Sequence, residues 1–374
     1  MHGSIALYLP SLRGGGAEKV MVTLANAFAT RGLSVDLVLA SATGEYMQDV
    51  STNVRLVDLR AKRVLTSLPA LVRYLRKERP SVVLSAMSHA NVLALWARAL
   101  SGVPTRVVVS ERSNLTQTLL HTKGLSVRVV ARVMGPSYAR ADGVIAVSRG
   151  VADDLAHVIG FPRKRIRIVH NPLDLTLIRQ KAAMALDHPW FAPSEPPVIL
   201  GVGSLTPPKD FSTLLRAFSA LRRKRSARLV ILGEGALRPE LEDLAVHLGI
   251  DADVALPGFK DNPFSWMRRA QLFVLSSAWE GLPNVLIQAM ACGTRVVSTN
   301  CQSGPAEILE DGTWGRLVPV RDTEALANAM AATLDESDPP AVAHRAADFS
   351  LERIVEEYLR AIFPGGIDSE CKHL

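Results

Sequence analysis

Cysteine is scarce in this 374-residue chain, with three residues, Cys292, Cys301 and Cys371, at spacings of 9 and 70. Neither a zinc-ligand pattern nor a disulfide framework has those spacings, so the thiols read as reduced. Aromatic residues make up 5% of the sequence, too few to build a stacking platform, which argues against nucleic-acid binding. Long apolar runs are missing as well: the run 90–97 ends at Arg98, well short of the roughly 20 residues that span a bilayer. No basic leader precedes the opening MHGSIALYLPSL, which argues against a secretory signal and for a cytoplasmic protein. What is present is 48% hydrophobic and 21% charged, a composition that buries cores. The length divides most simply into two domains.

The net charge of +7 is unevenly spread. Residues 1–186 hold 25 Lys and Arg against 11 Asp and Glu, a balance of +14, and the remainder carries −7. A basic half facing an acidic one suits a polyanion such as anionic lipid, a pyrophosphate or nucleic acid, and sign alone does not choose among them. Leu68, Leu71, Val72 and Leu75 share a helical face while Arg73, Arg76, Lys77 and Arg79 crowd the rest; residues 123–134 add Lys123, Arg128 and Arg132 among valines. Both segments fit either a helix on anionic lipid or a core-packed helix with a solvated basic side.

Short apolar runs at 4–10, 34–40, 81–85, 105–110 and 143–147 alternate with helical patterning, starting with a helix over about 17–30. That alternation predicts an open α/β parallel sheet covered on both faces. Residues 183–197, AMALDHPWFAPSEPP, are proline-rich and aperiodic and read as a linker. Runs at 198–202, 228–232, 254–256, 272–275 and 294–298 predict a second parallel sheet. The expected division is therefore 1–182, a linker over 183–197, 198–348, a helix over 349–363 and a tail over 364–374. That helix, FSLERIVEEYLRAIF, carries one apolar stripe and by pattern alone packs on either domain. Ligands of such sheets bind outside the carboxyl ends of the strands.

Three loops at such ends carry candidate chemistry. SLRGGGAEK holds Gly14, Gly15, Gly16 and Glu18 at a helix start, where glycines admit a ligand to the backbone and free N–H groups face an anion. A dinucleotide loop needs a third glycine where Lys19 stands. GVGSLTPPKDF, residues 201–211, sets Lys209 beside a second helix start, a point charge suited to phosphate. In SSAWEGLPNVLIQAMACG, residues 276–293, Glu280 ends a loop, Pro283 suits a first helical turn, and Asn284 and Gln288 share a helical face. A carboxylate and two amides supply the oriented donors and acceptors that sugar and ribose hydroxyls need. Each loop alone also fits a structural turn, a solvated lysine or a capped helix. The D-x-D at Asp251 and Asp253 lies apart from these loops and reads as a solvated turn, so no metal site is assigned.

Together these motifs resemble the retaining glycosyltransferases of family 4, from the first strand to the last helix. The E-x7-E motif of that family corresponds to Glu280 through Gln288, followed by Ala291-Cys292-Gly293; its GGAE loop to Gly15 through Glu18; its donor loop to Gly203 through Lys209; its P-G-F turn to Pro257 through Phe259; GPAEIL at 304–309 also fits. The resemblance implies a GT-B fold, two Rossmann-like parallel-sheet domains facing each other across a deep cleft, with the last helix packing back toward the first. It implies Glu280 and Lys209 as catalytic residues, Glu280 near the reacting carbon and Lys209 neutralising the departing diphosphate. Gly203, Ser204, Gly233, Phe259, Lys260, Gly281, Leu282, Pro283, Asn284 and Gln288 would complete the donor site, with Phe259 and Lys260 near the base. Gly15, Gly16, Glu18, Glu111 and Arg112 would face the acceptor. Three departures stand out: Gln288 replaces the second glutamate, Ser204 replaces a common arginine, and SERSN, with Glu111, Arg112 and Asn114, stands where many relatives carry a histidine after the fourth strand.

The expectation is transfer of a hexose or N-acetylhexosamine from a UDP-sugar, with retention, to a lipid-linked or saccharide acceptor in cell-surface polysaccharide synthesis. No cofactor or metal is expected, and the basic half would hold the enzyme peripherally at the cytoplasmic face of a membrane. A non-catalytic nucleotide-sugar or polyanion-binding protein, or a nucleotide-sugar epimerase of the same fold, is the alternative.

Overall fold

The computed structural model describes residues 4–122 and 125–366, so Lys123, Cys371 and the end of the tail lie outside the described residues. The chain divides into two compact units, Met1–Pro172 with Leu351–Leu374, and Leu173–Ser350.

The first unit contains β1 (Ser4–Leu9), α1 (Gly16–Thr30), β2 (Ser34–Leu39), β3 (Arg55–Asp58), α2 (Leu68–Glu78), β4 (Val82–Ala86), α3 (Ser88–Ser101), β5 (Arg106–Glu111), α4 (Leu115–His121), α5 (Leu125–Tyr138), β6 (Gly143–Ala146), α6 (Arg149–Ile159) and β7 (Ile166–Ile168). Its strands pair in parallel in the order β3-β2-β1-β4-β5-β6-β7. The central strands read as continuous apolar runs because helices cover both faces; β4 is buried throughout. β3 escapes the pattern analysis because it is an edge strand with Arg55, Leu56 and Asp58 exposed, and charge on an edge discourages further pairing.

The second unit contains α7 (Leu175–Ala183), β8 (Val198–Val202), α8 (Phe211–Arg222), β9 (Arg228–Leu232), α9 (Arg238–His247), β10 (Val254–Gly258), α10 (Phe264–Arg269), β11 (Leu272–Leu275), α11 (Asn284–Ala291), β12 (Val296–Thr299), α12 (Pro305–Ile308), β13 (Arg316–Val318), α13 (Thr323–Leu334) and α14 (Val342–Ala346). Its parallel order is β10-β9-β8-β11-β12-β13. The division between units falls at Pro172, so residues 183–197 lie inside the second unit. That segment lacks periodicity because rings hold it: His188 and Phe191 stand 5.1 and 5.6 Å from Trp266, and the Arg228 guanidinium lies 4.9 Å over Trp190. Asp253 is not left to solvent, since Arg222 and Arg228 both pair with it.

The last helix, α15 (Leu351–Ile362), belongs to the first unit. Its stripe of Ile354, Val355, Tyr358, Leu359 and Ile362 joins the core formed by Leu7, Leu9, Met21 and Leu24. In α2, Leu71, Val72, Tyr74 and Leu75 are buried and Arg76 donates to the carbonyls of Leu100 and Ser101, so its apolar face is spent on the core rather than open to lipid.

A polar network lies beneath the carboxyl end of β5. Glu111, 2% exposed, accepts hydrogen bonds from Tyr138, from Asn91 Nδ2 at 2.8 Å and from Ser88 Oγ at 3.0 Å. Burial nevertheless outweighs these donors and holds its carboxyl above the ordinary carboxylate range.

Two predictions follow from this packing. Ile362→Ala should lower stability by about 2–5 kcal/mol in denaturant melts, while Glu352→Ala, on the exposed face, should stay within about 0.5 kcal/mol; equal effects would place α15 outside the core. For Glu111, a raised folded pKa means stability that is complete below the unfolded value of about 4.3 and lost as pH rises through the folded value. Glu111→Gln should flatten that decline above about pH 4.3, and identical pH slopes in variant and wild type would contradict the burial argument.

Candidate functional site

In the second unit the loops after β8, β9 and β10 are drawn together through glycines. The Gly203 N–H donates to Leu232 O at 2.9 Å and the Gly233 N–H to Gly258 O at 3.0 Å. Gly233 has φ +144°, and a Cβ there would stand 1.9 Å from Gly203 O, so only glycine allows this approach. A Cβ on Gly203 would press at 3.3 Å on the Lys209 stem, which lies along it. Lys209 ends a 3-10 turn, Pro207–Lys209, and the next residue, Asp210, adopts φ 44° while capping α8: its carboxylate accepts from the Thr213 hydroxyl at 2.7 Å and the Thr213 N–H at 3.3 Å.

The β11 loop meets this turn from the neighbouring strand. The Ala278 N–H donates to Pro208 O and the Ser276 hydroxyl to Lys209 O, both at 2.8 Å. These backbone stitches bring Lys209 Nζ within 2.5 Å of Glu280 Oε1, side chains 71 residues apart in sequence and only 20% and 13% exposed. The Ser277 hydroxyl donates to the same Oε1 at 2.8 Å. Beyond Glu280, Gly281, Leu282 and Pro283 lead into α11, whose first residue is Asn284, with Gln288 one turn on and half-buried. Gly304, at φ +98°, backs this turn so closely that a Cβ would lie 2.5 Å from Pro283 Cδ. Ser204 is exposed, Phe259 is 68% exposed and Lys260 half-buried at the end of β10.

Chemically, the second unit thus offers one ammonium, one carboxylate, two side-chain amides and the N-terminus of α11. That set matches a polyhydroxylated ligand carrying phosphate. Among the described residues no group of three or more His, Cys, Asp or Glu is placed to hold a metal.

In the first unit Gly15 is the N-cap of α1 and has no side chain to cap it with; the Glu18 carboxylate folds back over it, and a Cβ on Gly15 would lie 2.1 Å from Glu18 Oε2. Glu18 is 8% exposed, and burial raises its pKa while its own backbone N–H and the Arg112 charge oppose. A Cβ on Gly16 would meet nothing within 4 Å. Lys19, which blocks the dinucleotide reading, turns outward to Asp49 at 2.5 Å. Arg112 donates to Asn171 Oδ1 at 2.8 Å, Tyr358 OH at 3.0 Å and Met21 Sδ at 3.3 Å, all neutral groups. Glu111 differs from its expected place: its side chain turns into the Tyr138–Asn91–Ser88 network and does not face an acceptor.

The structure thus gathers Glu280 and Lys209 into contact, flanks them with Gly203, Gly233, Gly281 through Asn284 and Gln288, and gathers Gly15, Glu18 and Arg112 in their own unit. Sequence reasoning missed Ser276, Ser277 and Thr299, whose signal is serine and threonine at the ends of otherwise apolar strands, and gave Gly304 no role beyond the GPAEIL match. It also missed His89: with β3 counted, SERSN follows the fifth strand, and the fourth is followed by Met87 (φ 78°), Ser88 and His89. Burial lowers the His89 pKa, so its ring is neutral near pH 7.

Comparison with known proteins agrees with this architecture. The family described as Glycosyltransferase Family 4 matches residues 14–177, and that described as Glycosyl transferases group 1 matches residues 196–336. The chain is 30% identical over 346 residues, 89% of this chain and 90% of the relative, to an N-acetylgalactosamine-N,N'-diacetylbacillosaminyl-diphospho-undecaprenol 4-alpha-N-acetylgalactosaminyltransferase of Campylobacter jejuni. It is 28% identical over 367 residues, 93% and 96% of the two chains, to the lipopolysaccharide core biosynthesis glycosyltransferase LpsE of Rhizobium meliloti. Among solved structures, Anabaena HepE in complex with UDP superposes with a TM-score of 0.80 at 19% identity, covering 95% of this chain and 98% of that one. Two parallel sheets with a glycine-rich loop in the first and a Lys–Glu pair in the second, matched in both halves, place the chain in glycosyltransferase family 4, with the GT-B fold.

Proposed function

We propose that this glycosyltransferase moves a hexose or N-acetylhexosamine from a UDP-sugar to a lipid-linked or saccharide acceptor, with retention at the anomeric carbon and without a metal. The observation that carries the reading is the 2.5 Å contact of Lys209 with Glu280 at the ends of adjacent strands. A diphosphate at this point meets an ammonium and the N-terminus of α11, and the sugar attached to it meets the Glu280 carboxylate. The acceptor class follows the relative named for a diphospho-undecaprenol substrate.

The chemistry needs no protein base. The acceptor hydroxyl attacks the face from which the diphosphate departs; the bond from the anomeric carbon to the phosphate oxygen breaks, the bond to the acceptor oxygen forms, and the acceptor proton passes to the departing phosphate oxygen. Lys209 balances the charge that grows on that oxygen, and Glu280 holds sugar hydroxyls in place. A counter-charge from Lys209 does the work a divalent ion would otherwise do, and the D-x-D aspartate Asp253 is already occupied by two arginines. Gln288, lacking charge, would bond ribose hydroxyls about half as strongly as a carboxylate.

No helix among the described residues is long and apolar enough to cross a membrane. Attachment to anionic lipid from the cytoplasmic side would instead use the α4 and α5 region, where Leu120 is 69% and Val129 51% exposed beside exposed Arg128 and Arg132.

Incubation with UDP-sugars and a polyprenyl-diphosphate-linked saccharide should give an α-linked product from an α-linked donor. Glu280→Gln and Lys209→Met should each lower kcat by about 100- to 1000-fold, and EDTA should leave the rate unchanged. Inverted product would overturn retention, a rate abolished by EDTA would overturn metal independence, and full turnover by Glu280→Gln would remove that residue from the reaction. Epimerised donor without transfer would favour the epimerase alternative.

A further inference from the structure

We propose that Ser277 is a positioning residue that keeps Glu280 aimed at the donor sugar once Lys209 has turned to the diphosphate. The inference rests on the transferase reading above and adds to it a residue and a change of partner during donor binding.

Charge balance is the starting point. Without a donor, Lys209 and Glu280 neutralise each other at 2.5 Å in a half-buried setting. Phosphate oxygens arriving at Lys209 compete for the same ammonium. A carboxylate that loses its partner while half-buried is costly and free to rotate. A second donor must therefore already be in place, and it must be one that phosphate cannot draw away.

Ser277 meets both conditions. Its hydroxyl donates to Glu280 Oε1 at 2.8 Å and the residue is 0% exposed. Its main chain is fixed by Thr299, whose hydroxyl donates to Ser277 O at 2.6 Å and Leu275 O at 3.3 Å. The Lys209 main chain is fixed by the Ser276 hydroxyl and the Ala278 N–H bond to Pro208 O. The Lys209 side chain still has its own rotamers, and the missing Cβ of Gly203 leaves room beside its stem. With Oε1 held by Ser277 before and after, Oε2 keeps its direction.

The role predicts a split between binding and turnover. Ser277→Ala should lower kcat by about 10- to 100-fold, the worth of a hydrogen bond to a charged group, with KM for the donor and the calorimetric Kd for UDP within about twofold of wild type. In a Glu280→Ala background the same change should have no further effect on kcat. Unchanged kcat in Ser277→Ala, an equal loss in both backgrounds, or a loss that appears in UDP binding rather than turnover would each overturn the proposal while wild-type transfer stands. A wild-type chain that transfers nothing would overturn the transferase reading, and this proposal with it.

Discussion

A half-buried ion pair between a lysine and a glutamate from two different loops is the constraint around which the second unit is built. Neither charge is stable there alone, because taking a single ion out of water costs several kcal/mol. Together they hold each other, and their contact requires that the β8 and β11 loops be held side by side. The surrounding irregularities serve that setting. Gly233 brings one loop against Gly203, Gly304 backs the turn at Pro283, and Asp210 accepts a left-handed backbone at about 1–2 kcal/mol of conformational cost to start α8 directly after Lys209. The serine and threonine at the strand ends replace water as partners for the backbone and for Glu280. A ligand that offers phosphate to Lys209 exchanges one ion pair for another, which lets a donor be recognised without creating an orphan charge.

The first unit solves a related problem with the opposite sign. Arg112 sits among an amide oxygen, a phenol and a thioether, all neutral, and the acids near it, Glu18 and Glu111, are both pushed by burial toward their protonated forms. The Arg112 charge opposes that rise in both acids. Tyr358 lies on α15, so the helix at the end of the chain not only completes the first core but also fixes this guanidinium.

Much of this was legible in the sequence for a physical reason. Parallel strands buried on both faces must be apolar throughout, and the helices between them must carry a stripe, so the alternation announced both sheets. Glycines and an isolated lysine at strand ends announced the loops, and the order of motifs joined Glu280 to Lys209 across 71 positions. What escaped was set by packing rather than pattern. β3, β7 and β13 are short edge or near-edge strands with mixed exposure. The segment 183–197 looks like a linker because its order comes from ring contacts with Trp266, which no local period encodes. Glu111 looked available because a carboxylate at a strand end usually is; its burial depends on Tyr138 and Asn91, distant in the chain. Ser277 carries no sequence signal beyond its strand-end position, and its place in the site comes from its hydroxyl bond to Glu280.

The most direct test of the account is a structure of the chain with an intact UDP-sugar bound, trapped in the Glu280→Gln variant and compared with the wild type bound to UDP. The account requires Lys209 Nζ at about 2.7–2.9 Å from a phosphate oxygen, the Ser277 hydroxyl still on the residue at 280, and the other terminal atom of that side chain facing the sugar. A diphosphate seated away from Lys209, or Lys209 still paired only with Glu280 beside bound UDP, would contradict it.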